Sequence, residues 1–144
     1  MTAAELLAFL RSHKYAVQSS ISPVGWPQSA LVGFAVTDQL EIVFDTLEST
    51  RKVPNLKANP RIAIVIGGWL YGDERTVQYE GLADFPAGEE LQRLKSVYFA
   101  AFPDGPARQA WPGITYVRAK PMWVRFSDFN VSPPRVSELS FHQK

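Results

Sequence analysis

The segment from Thr50 to Arg61 combines residue types that could bind a phosphate. It holds four Lys or Arg residues and no Asp or Glu, whereas the whole chain is nearly neutral, with 15 basic and 14 acidic residues. Ser49 and Thr50 favour helix starts, so the sequence predicts a short helix with Arg51 and Lys52 in its first turn. Cations are unfavourable there because the helix dipole already makes that end positive. Backbone N–H groups, a hydroxyl, a guanidinium and an ammonium would together hold a phosphate, and the bound anion would remove this penalty.

A purely structural interpretation of the segment remains open at this point. Arg51 or Lys52 could pair with Asp45 or Glu48, and the segment would then be a solvated helix with a basic start. The glycine-rich phosphate motifs GxxxxGK[ST] and GxGxxG do not occur in the sequence. A phosphate bound here would therefore be held by a strand-to-helix turn.

Composition excludes several other kinds of chemistry. The chain has no cysteine, which rules out disulfides, thiolate metal sites and cysteine nucleophiles. It has only two histidines, His13 and His142, so we predict no metal site and no histidine-based triad. We expect His13 to interact with a helix C-terminus and His142 to be solvated. No side chain stands out as a catalytic acid or base, and the catalytic residues stay unknown.

Charge and hydropathy bear on partners and location. The net charge of +1 argues against a nucleic-acid or membrane-surface binder, which would carry a basic excess. The first twelve residues have the pattern of an amphipathic helix and not that of an export signal. No apolar stretch approaches the ~20 residues needed to cross a bilayer. We therefore expect a cytoplasmic protein without nucleic-acid or membrane partners.

The elements that must position the basic segment are mostly short strands. Thr2 and Glu5 form a capping-box pattern for a first helix, and Pro86 opens a later helix that ends before Pro103. Periodicity and turn residues predict six strands: Tyr15–Ser22, Leu31–Val36, Leu40–Phe44, Arg61–Ile66 (fully buried), Thr76–Phe85 (bent at Gly81) and Ile114–Phe126 (interrupted at Pro121). Because hairpins dominate and the spacing is too short for repeated βαβ units, we expect an antiparallel barrel or sandwich. Residues 1–129 would form one domain, and residues 130–144 an irregular tail.

Several motifs resemble one family over nearly the whole chain. They are Gly25-x-Pro27-x-Ser29-x-x-Val32, Phe44-Asp45-Thr46, Thr50-Arg51-Lys52-x-x-Asn55-Leu56-x-x-Asn59-Pro60-Arg61 and Thr76-Val77-x-x-Glu80-Gly81. This pattern is similar to that of the pyridoxamine 5'-phosphate oxidase-like, FMN-binding split-barrel family. The resemblance implies a mainly β fold, a six-stranded antiparallel Greek-key split barrel with flanking helices. It also implies a homodimer with FMN in grooves at the interface.

The resemblance also implies roles for individual residues. Thr50, Arg51 and Lys52 would hold the FMN 5'-phosphate, and Asp45 and Thr46 would lie along the ribityl chain or the flavin edge. The strand that includes Ser29, Ala30, Leu31, Val32 and Gly33 would hydrogen-bond the ring through its backbone, and Gly33 would let the ring approach closely. Thr76 stands where many relatives carry a glutamine that touches the flavin, and Ala30 replaces an arginine of the oxidases themselves. Trp111, in a loop, is a candidate to cover the cofactor.

These features predict an FMN-binding oxidoreductase that transfers a hydride or electrons between the flavin and a small organic substrate. The segment 132–139 lacks the Arg- and His-rich pattern that grips the substrate phosphate in the oxidases, so we do not predict pyridoxamine phosphate oxidation itself. Three alternatives stay open: the deazaflavin F420 in place of FMN, a non-catalytic flavin carrier, and haem binding, which occurs among relatives.

Overall fold

The computed structural model describes residues 1–141, which form four helices and eight strands. The helices are α1 (Ala3–Arg11), α2 (Lys52–Ala58), α3 (Gly88–Ala101) and α4 (Gly105–Arg108). The strands are β1 (Tyr15–Ile21), β2 (Pro27–Gly33), β3 (Ala35–Val36), β4 (Ile42–Leu47), β5 (Arg61–Gly67), β6 (Arg75–Asp84), β7 (Ile114–Asp128) and β8 (Arg135–Ser140). Among these residues, no helix is long and apolar enough to cross a membrane.

All strands pair antiparallel in one curled sheet with the order β2-β1-β5-β6-β7-β4-β3. Strand β7 is fifteen residues long, and its first residues pair with β4 while its last residues pair with β8. The helices flank this half-barrel, which confirms the predicted split-barrel class. The prediction of six strands is wrong, because the predicted strand Leu31–Val36 breaks at Phe34. Its two parts, β2 and β3, pair with β1 and β4 respectively.

The eighth strand lies where the sequence predicts an irregular tail. Residues 135–140 pair with Trp123–Asp128 of β7, and the Arg125 Nε atom donates to Glu138 Oε1 across the pair at 2.8 Å. Leu139 packs, partly buried, against the core. The prediction failed because an edge strand needs few apolar residues when a long neighbour supplies its backbone partners. His142 lies outside the described residues.

The core lies on the concave face of the sheet. In β5, Ile62, Ile64 and Ile66 are buried, whereas Ala63 and Val65 are exposed, so this strand is not fully buried as predicted. One face of an antiparallel sheet can remain open, and here it is the convex face. Helix α1 closes the concave face with Leu6, Phe9 and Leu10, and its predicted Thr2–Glu5 capping box is present.

The bend predicted at Gly81 is also present. The β6–β7 register shifts between Glu80 and Gly81, and Gly81 lies opposite Pro121. A Cβ at Gly81 would come within 2.6 Å of the Lys120 carbonyl oxygen, so only glycine fits there. Pro121 does not interrupt β7, because the bulge provides a position where the missing N–H of proline is tolerated.

An ion pair ties the α3–α4 segment to the sheet. Arg108 on α4 donates through Nε to Asp45 Oδ2 at 2.8 Å, and the Tyr98 hydroxyl of α3 donates to Asp45 Oδ1 at 3.0 Å. Both partners of the pair are largely buried, with side-chain exposures of 16% and 13%. Arg108 also pairs with Asp104, whose carboxylate is 73% exposed. Asp45 is therefore a packing residue between β4 and the helices.

This arrangement predicts that the same substitution, Asp to Asn, affects stability unequally at the two aspartates that pair with Arg108. Asp45→Asn should lower the free energy of unfolding by about 2 kcal/mol, because it removes the buried one of the two carboxylates that pair with Arg108. Asp104→Asn should lower it by less than about 1 kcal/mol, since that pair is exposed to solvent. Urea unfolding of the two variants measures the difference. Equal values would show that Asp45 does not anchor the helices.

Candidate functional site

A polar pocket lies between the β1–β2 hairpin and the turn that leads into α2. Its volume is about 230 Å³. It is lined by Gln18, Ser20, Gln28, Ser29, Ala30, Thr50, Arg51 and Lys52. Five of the predicted cofactor-binding residues, Ser29, Ala30, Thr50, Arg51 and Lys52, are thus brought together from two separate parts of the chain.

The turn before α2 differs in detail from the prediction. Helix α2 has seven residues, and its N-cap is Arg51, with a helical φ of −60° and no side-chain capping bond. Neither predicted residue, Ser49 or Thr50, is the N-cap. The Thr50 hydroxyl donates instead to the Leu47 carbonyl oxygen at 2.7 Å. With so short a helix, attraction for an anion comes mainly from the side-chain charges on the turn.

The positive charge in this pocket is not balanced by nearby carboxylates. No acidic residue lines the pocket, and within residues 1–141 neither Arg51 nor Lys52 has a carboxylate within 4 Å. The pairing with Asp45 or Glu48 that the sequence leaves open does not form. Partial burial lowers the pKa of Lys52. A bound anion would favour the protonated form of this lysine and so oppose that shift.

Thr46 and Asp45 are neighbours on β4 but serve opposite sides of the strand. The Thr46 hydroxyl accepts a hydrogen bond from Lys52 Nζ at 3.2 Å and lies 3.2 Å from the Thr50 hydroxyl. Thr46 therefore helps to position the Lys52 side chain without itself lining the pocket. Asp45 instead points to Arg108 and Tyr98. The sequence predicts that both residues lie along one ligand, but only the Thr46 side chain faces the pocket residues, since successive side chains of a strand face opposite ways.

Asn55 on α2 organises the other wall of the pocket. Its Nδ2 atom donates to Ser20 Oγ at 3.1 Å and to Gln28 Oε1 at 2.9 Å, and the residue is only 4% exposed. These bonds tie α2 to the β1–β2 hairpin and fix the pocket side of both strands. Sequence reasoning assigned no role to Gln18, Ser20, Gln28 or Asn55. The signal was present in β1, where polar residues occupy alternate positions on its buried face.

The remaining predicted residues do not line this pocket. Leu31 is exposed, and Val32 is buried in the core. Gly33 adjoins Phe102, whose Cζ atom would lie 2.9 Å from a Cβ placed there, so the absence of a side chain makes room for the Phe102 ring. Thr76 lies opposite Gly67 in the β5–β6 register.

Trp111 belongs to a loop that contacts the turn before the basic residues. The Glu48 N–H donates to the Gly113 carbonyl oxygen at 2.8 Å, which holds the loop against this turn. The Trp111 side chain itself is 53% exposed. Among residues 1–141, no group of three or more His, Cys, Asp or Glu side chains could hold a metal ion.

The fold has close counterparts among solved structures. A heme-binding protein from Mycobacterium smegmatis superposes with a TM-score of 0.80 at 16% identity, over 97% of this chain and 58% of that one. A conserved hypothetical protein from Mycobacterium tuberculosis gives 0.75 at 26% identity, over 95% and 91%. A pyridoxamine 5'-phosphate oxidase-related, FMN-binding protein from Nostoc punctiforme gives 0.65 at 14% identity, over 97% and 94%.

This chain spans little more than half the length of the first of these proteins. No curated protein matches the sequence significantly. The family model of pyridoxamine 5'-phosphate oxidase matches residues 2–128. That match covers the split barrel from α1 to β7, including the hairpin and the turn that form the polar pocket, and the chain therefore belongs to the pyridoxamine 5'-phosphate oxidase family.

Proposed function

We propose that this chain binds FMN through the polar pocket and transfers a hydride or electrons between the flavin and a small organic substrate. The observation that carries the proposal is the pair of cations, Arg51 and Lys52, in a pocket without a carboxylate. Family membership makes a flavin phosphate the natural anion for this site.

The residues present fit a phosphate monoester. Arg51 offers a planar fork of N–H donors, and Lys52 adds a compact ammonium charge. The Thr46 and Thr50 hydroxyl groups lie beside the ammonium group and can reorient toward a phosphate oxygen. Hydrogen bonds between charged partners are stronger than neutral ones, so a few such contacts suffice for anchoring.

The pocket volume indicates which part of FMN it would hold. At about 230 Å³ it is smaller than the roughly 300–1,000 Å³ of typical small-molecule sites. We therefore assign it to the phosphate and the ribityl chain, while the flavin ring would lie on the adjoining surface beside β2. A second copy of the chain would complete that surface.

FMN would supply hydride exchange at its ring, and the chain would supply position and electrostatics. Arg51 and Lys52 anchor the phosphate, and the Asn55 bonds to Ser20 and Gln28 keep the pocket wall in place. This division of labour agrees with the lack of an evident catalytic acid or base in the pocket, which among the described residues is lined by amide, hydroxyl and cationic groups.

Two other cofactors deserve comparison with this proposal. F420 also carries a phosphate on a deazaflavin, so the same cations could hold it, and a protein that only carries flavin would need the same pocket. Haem would need an axial ligand. Among the described residues the sole histidine, His13, is buried against Phe9, with Nδ1 3.1 Å from the Phe9 carbonyl oxygen. That buried environment makes His13 a poor axial ligand for haem.

Removal of the two cations tests the phosphate site. Arg51→Ala combined with Lys52→Ala should weaken FMN binding by roughly a hundredfold or more, because two charge-assisted contacts are lost. The matched control is Lys14→Ala with Lys120→Ala, which removes two charges from exposed positions elsewhere. Flavin fluorescence titration measures both affinities, and circular dichroism checks the fold. A double variant that binds FMN as tightly as the control would place the phosphate elsewhere.

We further propose that the chain forms a homodimer through the convex face of the sheet. Leu31, Val17 and Val65 lie side by side across β2, β1 and β5 in the pairing register. Leu31 is 64% exposed and Val65 is 43% exposed, so this row presents an apolar surface next to the strand that lines the pocket. Exposed apolar rows of this kind mark interaction surfaces.

A charge placed in this row should separate the subunits. Val65→Asp should convert a dimer of 16.1 kDa chains into a monomer, because a carboxylate would be buried without a partner. Val136→Asp on β8 is the control, since Val136 is also exposed but lies outside the row. Light scattering after size exclusion gives the masses. A monomeric unmodified chain, or a dimeric Val65→Asp variant, would contradict this interface.

A further inference from the structure

One buried polar atom in the pocket has no partner. Gln18 is 1% exposed, and its Oε1 atom makes no hydrogen bond within the described part of the chain. By contrast, the nearby Ser20 hydroxyl and the Gln28 Oε1 atom each accept a hydrogen bond from Asn55 Nδ2. Buried acceptors without partners are uncommon in folded proteins, and each one destabilises the fold.

Packing alone does not explain a glutamine at this position. Gln18 lies in the middle of β1, between Ala30 of β2 and Ile64 of β5, and Ile64 belongs to the hydrophobic core. An apolar side chain of similar volume would fill the same space without the cost of burying an unpaired amide. The amide is therefore better explained by a ligand than by the core.

The pocket thus offers two kinds of group to a ligand. Arg51 and Lys52 attract an anion, and Gln18 Oε1 requires an O–H or N–H donor. A phosphate ester with hydroxyl groups on the adjoining carbons carries both kinds in one molecule. Inorganic phosphate and simple alkyl phosphates carry the anion but lack these hydroxyls.

We propose that Gln18 is a specificity-determining residue, whose Oε1 atom accepts a hydrogen bond from a hydroxyl of a polyol phosphate anchored by Arg51 and Lys52. The ribityl phosphate of a flavin is such a group, so the inference rests on the proposed function and names the part of the ligand that Gln18 reads. The terminal torsion of a glutamine is broad, which allows the amide to turn toward the pocket.

The test compares two phosphate monoesters of equal charge by NMR titration: ribitol 5-phosphate, and n-butyl phosphate, whose alkyl chain carries no hydroxyl groups. The unmodified chain should bind ribitol 5-phosphate about tenfold more tightly, because only this ligand satisfies the buried acceptor. In Gln18→Met the preference should fall to about threefold or less, with little change for butyl phosphate. Gln92→Met, an exposed site on α3, is the matched control and should keep the full preference.

Stability separates a ligand role from a structural one. Gln18→Met and Gln18→Leu should unfold at the same temperature as the unmodified chain or higher, since each removes an unpaired buried amide. A marked fall in both melting temperatures would overturn the inference, as the amide would then be part of the fold. The relative affinity of the unmodified chain for the two phosphates is a measurement that does not depend on the folding of any variant.

The outcomes also distinguish the two proposals. Equal affinity for the two phosphates, or a full preference retained in Gln18→Met, overturns the role of Gln18 and leaves the FMN proposal in place. A preference that depends on Gln18, in a chain that binds no FMN, supports the role of Gln18 and contradicts the proposed cofactor. Failure to bind either phosphate, in a chain that also binds no FMN, overturns both.

Discussion

The constraint that organises this protein is the placement of two cations in a partly enclosed pocket without a carboxylate. Arg51 and Lys52 follow a turn closed by Thr50, and Lys52 is sufficiently buried that its pKa is lowered. Partial burial of the Lys52 ammonium group disfavours its charged form in the free protein, and an anion offsets that effect when it binds. The Asn55 bonds to Ser20 and Gln28 hold the hairpin beside these charges and so form the opposite wall of the pocket.

Strand β4 separates the contacts that support the pocket from the contacts that hold α3 and α4. Along β4, Thr46 supports the pocket through Lys52, while the adjacent Asp45 anchors Arg108 and Tyr98. The alternation of strand side chains places these two tasks on opposite faces. A ligand can therefore be bound on one side of the strand without disturbing the ion pair on the other, and α3 and α4 keep the strand in position throughout.

Local signals in the sequence predicted local features well. The Thr2–Glu5 capping box and the bend at Gly81 follow from backbone chemistry that a few neighbouring residues determine. Long-range features were harder, because they depend on which strand lies alongside. Strand β8 exists because β7 extends far enough to pair with it, and Gly33 is needed because Phe102 packs there.

The same distinction applies to the site. The basic turn was evident from charge and spacing, and the family resemblance added Ser29 and Ala30 on β2. The roles of Gln18 and Asn55 depend on the distance between β1 and α2 in the folded chain. The family resemblance assigns Asp45 to the ligand together with Thr46, but the Asp45 carboxylate meets Arg108, which lies 63 residues further along. The position of a residue in the sequence motif does not show toward which face of the strand its side chain points.

The absorption spectrum of the purified protein, followed by release and mass measurement of any chromophore, would decide whether this chain binds FMN. We expect flavin absorption and a released molecule with the mass of FMN, or a colourless protein that acquires this spectrum when FMN is added. A Soret band, or a protein that does not bind added FMN and takes up F420, would contradict FMN binding.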